Sequence, residues 1–278
     1  MSAVVCLSSV RHQRAHGTLH LAFKRREEQT VLADLRQEGC LKARFPRPVT
    51  WTEAINLNTS GGVAGGDVLS TTVHLGEATK TTIAAQAAER FYRALPTDPP
   101  AHIRTRIDLA EGASAEWLPQ ETILYDQCAL DRVLDIHLAP TGEFLGVEML
   151  LFGRTAMGEH VVTARIRDTI RLHRGGTLLL HDAIRLSGDI AATLARPAIA
   201  SGTRAIATIL YAATDARDHL TPLRETWRPH PVEAGASAWN GLLLARILAP
   251  DGACLRAAIV AGLTLLRAGR PLPRVWNC

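Results

Sequence analysis

Residues 56–67 read NLNTSGGVAGGD, and no other stretch constrains this chain as tightly. Two glycine pairs, Gly61–Gly62 and Gly65–Gly66, bracket Val63 and Ala64. A helix or strand interior does not tolerate such a run, because each glycine adds backbone entropy that folding must remove. The segment therefore predicts a tight turn with exposed backbone that other chain can approach closely, ending on the carboxylate of Asp67.

A glycine-rich loop suggests a phosphate cradle, but the flanking residues exclude the known kinds. A P-loop carries a lysine and a hydroxyl after its last glycine, whereas Asp67 and Val68 stand here. A dinucleotide-binding turn opens a helix, whereas residues 68–73 (VLSTTV) read as strand. The acid at the loop's mouth would also repel phosphate. A structural turn or the wall of a polar passage fits better.

Much of the chain reads as short strands. Leu19, Leu21 and Phe23 alternate with His20, Ala22 and Lys24; Val73 and Leu75 alternate with Thr72 and His74. Ile103, Thr105, Ile107 and Leu109 are interleaved with charged residues, and Arg132, Leu134, Ile136 and Leu138 oppose Val133, Asp135 and His137. Glycine-bearing turns at Gly76, Gly112, Gly142 and Gly175–Gly176 separate them. A period of two with such punctuation predicts a mainly β body of stacked or sandwiched sheets. With 278 residues, 47% of them hydrophobic, the chain can bury a substantial core as a single domain over 1–278, with 1–16 flexible.

The last quarter changes character. Trp239, Leu242, Leu243 and Ile247 follow helical spacing, Pro250 interrupts it, and Leu255, Ile259, Leu263 and Leu266 resume it. Asp251 reads as an N-cap, and Gly269 with Pro271 as a stop. These signals predict a helical pair over about 239–269 as a small C-terminal appendage, with Trp239 and Trp276 near it.

The net charge of +4 comes from arginines mixed with acids, not from a basic tract with stacking aromatics, which argues against nucleic acid. The five cysteines, Cys6, Cys40, Cys128, Cys254 and Cys278, are far apart and form no C-x-x-C pair, so reduced thiols are expected. The N-terminus is a poor signal peptide, and the longest apolar stretch, residues 257–266, is too short to span a bilayer. A cytoplasmic protein without a membrane partner is expected.

His12, His16 and His20 are spaced to align on a helix, but the strand pattern starting at Leu19 works against a metal site there. More informative is residues 143–152, EFLGVEMLLF. As a strand, Leu145, Val147, Met149 and Leu151 share one face, and Phe144, Gly146, Glu148, Leu150 and Phe152 the other. Both faces are apolar, so Glu148 is a carboxylate without a route to bulk water. Burying it unpaired costs several kcal/mol or forces protonation. Two readings follow: a structural Glu–Arg pair, with Arg154 as the nearby partner, or a functional polar lining. Residues 116–126 likewise set Glu116, Glu121 and Asp126 into core-like sequence. No G-x-S-x-G or H-E-x-x-H occurs, so no enzyme is expected.

Five motifs, taken in order, carry a resemblance: residues 58–67 (NTSGGVAGGD), 86–93 (QAAERFYR), 116–126 (EWLPQETILYD), 151–159 (LFGRTAMGE) and 272–276 (LPRVW). Together they resemble the family of the urease accessory protein UreD, called UreH in some systems. The resemblance implies a β-helix-like stack of strands and a chaperone role in urease maturation. It implies as partners the urease apoprotein, UreF and the GTPase UreG, with GTP on that partner only. It also implies no tightly bound cofactor, but nickel in transit. A conduit for a divalent cation must bind loosely enough to release it, which suits scattered oxygen ligands better than a thiolate cage. The candidate transient nickel-path residues are Asp67, Glu89, Glu116, Glu121, Asp126, Glu148 and Glu159, and the helical pair is the candidate surface for UreF. Competing expectations are a metal-free scaffold that opens or holds urease apoprotein, and a small-molecule enzyme using Glu148 or Asp126 with a histidine.

Overall fold

The computed structural model describes residues 13–154 and 157–277. Two sheets face each other, and the chain builds them by coiling from one to the other. It opens with the hairpin β1 (His16–Arg26) and β2 (Gln29–Gly39) in the first sheet, then lays β3 (Leu41–Arg44) and β4 (Thr52–Asn58) in the second. Thereafter β5 (Val68–Leu75), β8 (Ala101–Leu109), β11 (Ala129–Leu138) and β13 (Thr163–Arg174) join the first sheet. Between them β6 (Lys80–Ala85), β7 (Glu89–Phe91), β9 (Ser114–Leu118), β10 (Thr122–Leu124) and β12 (Glu143–Phe152) join the second. β14 (Thr177–Asp189) and α1 (Ile190–Ala195) follow, then β15 (Ala205–Ala212), α2 (Leu220–Trp227), β16 (Glu233–Trp239), β17 (Leu242–Ala249) and α3 (Gly252–Leu266).

The coiled part is parallel in both sheets: β1, β5, β8, β11 and β13 run one way in the first, and β4, β6, β9 and β12 are parallel neighbours in the second. Each turn of chain gives one strand to each sheet, which is the expected β-helix-like stack. Its corners are hydrogen-bonded to one another, Gly76 N to Phe23 O, Ala110 N to Leu75 O, Ala139 N to Leu109 O and Gly175 N to Leu138 O. The glycine turns of the sequence fall at these corners. Antiparallel strands finish the stack: β2 on β1, β14 on β13, and β15, β17 and β16 beyond β12.

Burial follows the alternation. Leu19, Leu21 and Phe23 of β1 and Leu134, Ile136 and Leu138 of β11 point between the sheets. The two faces of β12 divide as its sequence demands. Phe144 and Leu150 join the core between the sheets, while Leu145, Val147 and Met149 join a second core under α2 and α3. A strand apolar on both sides is thereby covered on both sides.

The C-terminal expectation needs correction. Residues from Trp239 to Ile247 are not a helix but the hairpin β16–β17, whose turn is Asn240–Gly241 with φ of +46° and +70°. In β17 one face (Leu243, Ala245, Ile247, Ala249) is buried and the other is half-buried beyond Leu242, and its leucines met helical spacing without forming a helix. An Asn-Gly pair between two apolar runs is the stronger signal, because a two-residue hairpin turn requires positive φ at both positions. Only the second half is helical: Asp251 caps α3 by accepting from Cys254 N at 2.8 Å, and Leu255, Ile259, Leu263 and Leu266 face the core. The two tryptophans also part company. Trp239 packs on the core between the sheets, and Trp276 is buried in the helical core.

Residues 1–12 of the segment expected to be flexible lie outside the described residues. The end of that segment is held: Arg14 Nη2 meets Asp98 at 2.6 Å and His16 begins β1. His16 and His20 therefore lie on a strand, and His12 is not among the described residues.

Candidate functional site

Between the sheets lies a cavity of about 340 Å³. Thr71, Thr105 and Arg132 reach it from the first sheet, and Asn56, Trp117 and Glu148 from the second. Thr71 and Thr105 are cross-strand neighbours, as are Arg132 and Asp168. The parallel register thus puts polar groups in adjoining rows of an otherwise apolar inner face.

At one wall the Arg132 guanidinium holds two carboxylates. Its Nη1 lies 2.8 Å from Glu148 Oε2, and its Nε and Nη2 bind Asp168 side-on at 2.9 and 2.6 Å. Thr122 Oγ1 accepts from Nη1 at 2.9 Å, and Trp117 Nε1 donates to Glu148 Oε1 at 2.8 Å. Both acids are buried, and Arg132 is nearly so. Burial pushes the Glu148 carboxyl above the ordinary range and Asp168 adds to this, while Arg132 and Trp117 pull it back. Two acids thus share one guanidinium, and of the three groups Arg132 and Glu148 line the cavity. The partner expected for Glu148, Arg154, instead binds Glu159 at 2.6 Å and lies over the Tyr125 ring. The true partner was visible in phase: Arg132 shares the inward face with Leu134, Ile136 and Leu138, as Asp168 does with Ile166, Ile170 and Leu172.

Glu89 lies on the same cavity from β7. Asn58 Nδ2 donates to both its carboxylate oxygens at 3.2 Å, and no guanidinium among the described residues is in ion-pair contact with it. Burial pushes its carboxyl up, with Asn58 and the Arg90 backbone N–H opposing. Asn56 Oδ1 is buried without a hydrogen-bond partner and belongs to the same lining. Gly61 and Gly62 complete this side of the wall. A Cβ on Gly62, whose φ is +145°, would stand 2.3 Å from the Tyr92 ring and 2.9 Å from Arg90 O, so only glycine lets the loop seat against β7. The loop is pinned there by Val63 N to Arg90 O and Tyr92 N to Val63 O.

Of the seven acids singled out in the sequence, the cavity brings together Glu89 and Glu148. The other five are outside its lining. Asp67 ties the glycine loop to the N-terminal strand, accepting from Ala64 N at 2.7 Å and Ala15 N at 2.8 Å. Glu116 is on the helical side of β9, bound by Arg267 Nε at 2.9 Å and Arg270 at 2.8 Å. Glu121 binds Arg256 at 2.8 Å, whose Nη2 also donates to Trp276 O. Asp126 accepts from Val162 N and Thr163 N. Burial alone would raise its carboxyl, but these bonds outweigh it and hold the group below the usual range. Glu159 is the Arg154 partner already described.

Neither Glu148 nor Asp126 is in ion-pair contact with a histidine; among the described residues such pairs involve Asp34, Asp108, Asp131, Asp135 and Asp215. The acid–base pairing that an enzyme reading needs is not assembled around either group. Three cysteines, Cys40, Cys128 and Cys254, are free, and burial pushes the Cys128 thiol up to about 12, which makes it inert. No helix among the described residues is long and apolar enough to cross a membrane.

Comparison with known proteins bears on this arrangement as a whole. A family model described as UreD urease accessory protein matches residues 15–277. A protein named urease accessory protein UreD from Rhizobium leguminosarum bv. trifolii is 42% identical over 275 residues, covering 99% of both chains. One of the same name from Xanthobacter autotrophicus is 44% identical over 266 residues, covering 95% of this chain and 90% of its own. One from Azorhizobium caulinodans is 42% identical over 269 residues, covering 96% and 97%.

Proposed function

The chain belongs to the UreD family of urease accessory proteins, and from that premise we propose that it helps deliver nickel into urease through the cavity between its sheets. It does so in the cytoplasm, in a complex with the urease apoprotein, UreF and the GTPase UreG. GTP stays on UreG and the chain itself catalyses nothing. Nickel is cargo here.

The observation that carries this reading is Glu89. A half-buried carboxylate whose side-chain partner among the described residues is an amide, and whose carboxyl is pushed up by desolvation, is costly to keep charged. An entering divalent cation offsets that cost and is offered the oxygens of Glu89, Asn56 and Glu148. These are weak, separated oxygen ligands, so the ion is passed on rather than kept.

Glu89→Gln tests it. The variant should co-purify with UreF and urease apoprotein as the wild-type chain does, yet leave urease poorly activated by nickel and GTP. Full activation by that complex would contradict the passage.

The metal-free scaffold has its own support. Glu116, Glu121 and Glu148 are held by arginines, and the first two clamp the C-terminal segment to the second sheet. On that reading Glu89→Gln activates normally and only surface substitutions interfere.

A further inference from the structure

The outer face of the first sheet carries a separate cluster. Asp135 and His137, two residues apart on β11, point away from the core, and His173 of β13 is the direct cross-strand neighbour of His137. Their ligand atoms lie within 4.8 Å of one another. Asp135 Oδ1 is 3.3 Å from His137 Nε2 and 3.7 Å from His173 Nδ1. All three of these atoms are buried, and none has a hydrogen-bond partner. The rings stack at 4.6 Å with 12° between their planes.

We propose that Asp135, His137 and His173 form a binding site for a divalent first-row transition ion on the outer face of the first sheet. Three buried polar atoms that converge without a hydrogen bond among them are costly unless something is shared between them. Metal–ligand bonds of about 2.1 Å set neighbouring tetrahedral ligands about 3.4 Å apart, close to the two separations found. Two imidazoles and one carboxylate suit ions such as Ni²⁺ or Zn²⁺, and water completes the shell. Arg171 Nη2 holds the second Asp135 oxygen at 3.0 Å, which aims Oδ1 at the imidazoles as an outer-shell partner does. The sheet holds the site, since all three residues are paired in the β11–β13 ladder rather than on loops. This site lies across the sheet from the cavity and does not depend on the nickel passage.

Calorimetric titration of the full chain with NiCl₂, and separately ZnCl₂, tests the proposal, with circular dichroism confirming the fold of each variant. Wild type should show a binding event that weakens by about tenfold or more in His137→Ala/His173→Ala and in Asp135→Asn. His20→Ala/His74→Ala, which alters another histidine pair on the same face, and Glu89→Gln should leave that event unchanged. Co²⁺ loaded into the wild-type site should give a visible d–d spectrum that His173→Asn alone abolishes. Absence of binding by the wild-type chain, or an undiminished event in His137→Ala/His173→Ala or in the single variants, would overturn the site.

Discussion

Arg132 Nη1 sits 2.8 Å from Glu148 Oε2, across the gap between the two sheets, and among the described residues no other charge pair ties them so far from water. The pair stitches β11 to β12, and the same guanidinium binds Asp168 of β13. Its presence means that Glu148 is both a structural anchor and part of the cavity wall, so its substitution cannot separate the two roles. Substitution of Glu89 can.

Removing the guanidinium should be severe. Arg132→Met leaves two buried carboxylates without their counter-ion, and loss of one partner from a buried pair costs about 3–5 kcal/mol. Denaturant unfolding of the variant should show a loss of that size. A loss below about 1 kcal/mol would mean that water already solvates the cluster.

Asp67 should behave as a tie and not as a lining group. Asp67→Ala strands the half-buried N–H groups of Ala15 and Ala64, a cost of about 2 kcal/mol. Stability measured by chemical unfolding should fall by that amount. Nickel activation, compared at a temperature where the variant stays folded, should be retained.

Glu89 should reveal itself in the pH dependence of stability. Its folded carboxyl binds its proton more tightly than the ordinary value of 4.5. The stability it contributes is therefore complete below about 4.5 and is lost as pH rises through the folded value. Glu89→Gln removes that loss. The variant should match wild type in acid and exceed it at pH 7; a variant less stable than wild type at pH 7 would show the charge to be well solvated.

The C-terminal segment should prove part of the core. Trp276 is buried and its Nε1 donates to Leu118 O at 3.1 Å, while Gln120 Nε2 holds Val275 O at 2.7 Å. Trp276→Ala should cost about 3–5 kcal/mol in unfolding measurements. A neutral substitution would instead return this segment to the candidates for a partner surface.

The stacked strands were legible because their periodicity is physical: with one face dry, a one-residue slip turns every leucine of β1 or β11 to water. Glu148 was legible for the same reason, as an acid in a strand with no wet face. The hairpin at Asn240–Gly241 was missed because β17 opens with three leucines in a row, which hide its alternation, and leucines at 242 and 243 fit a helix equally well. Asp67, Glu116, Glu121, Asp126 and Glu159 all looked alike in the sequence as acids among apolar residues. Glu116 and Glu121 differ from Glu89 in holding arginines distant in the chain, Arg267 and Arg256, and spacing carries no record of them.

The most direct test of the account fills the cavity without touching its charges. Ala85 lines it from β6, and Ala85→Trp should occupy it. The variant complex with urease apoprotein, UreF and UreG would be purified and given nickel and GTP, and urease activity followed with time. The account predicts an intact complex with urease activation reduced at least tenfold. Activation at the wild-type rate by a complex whose cavity is filled would contradict it.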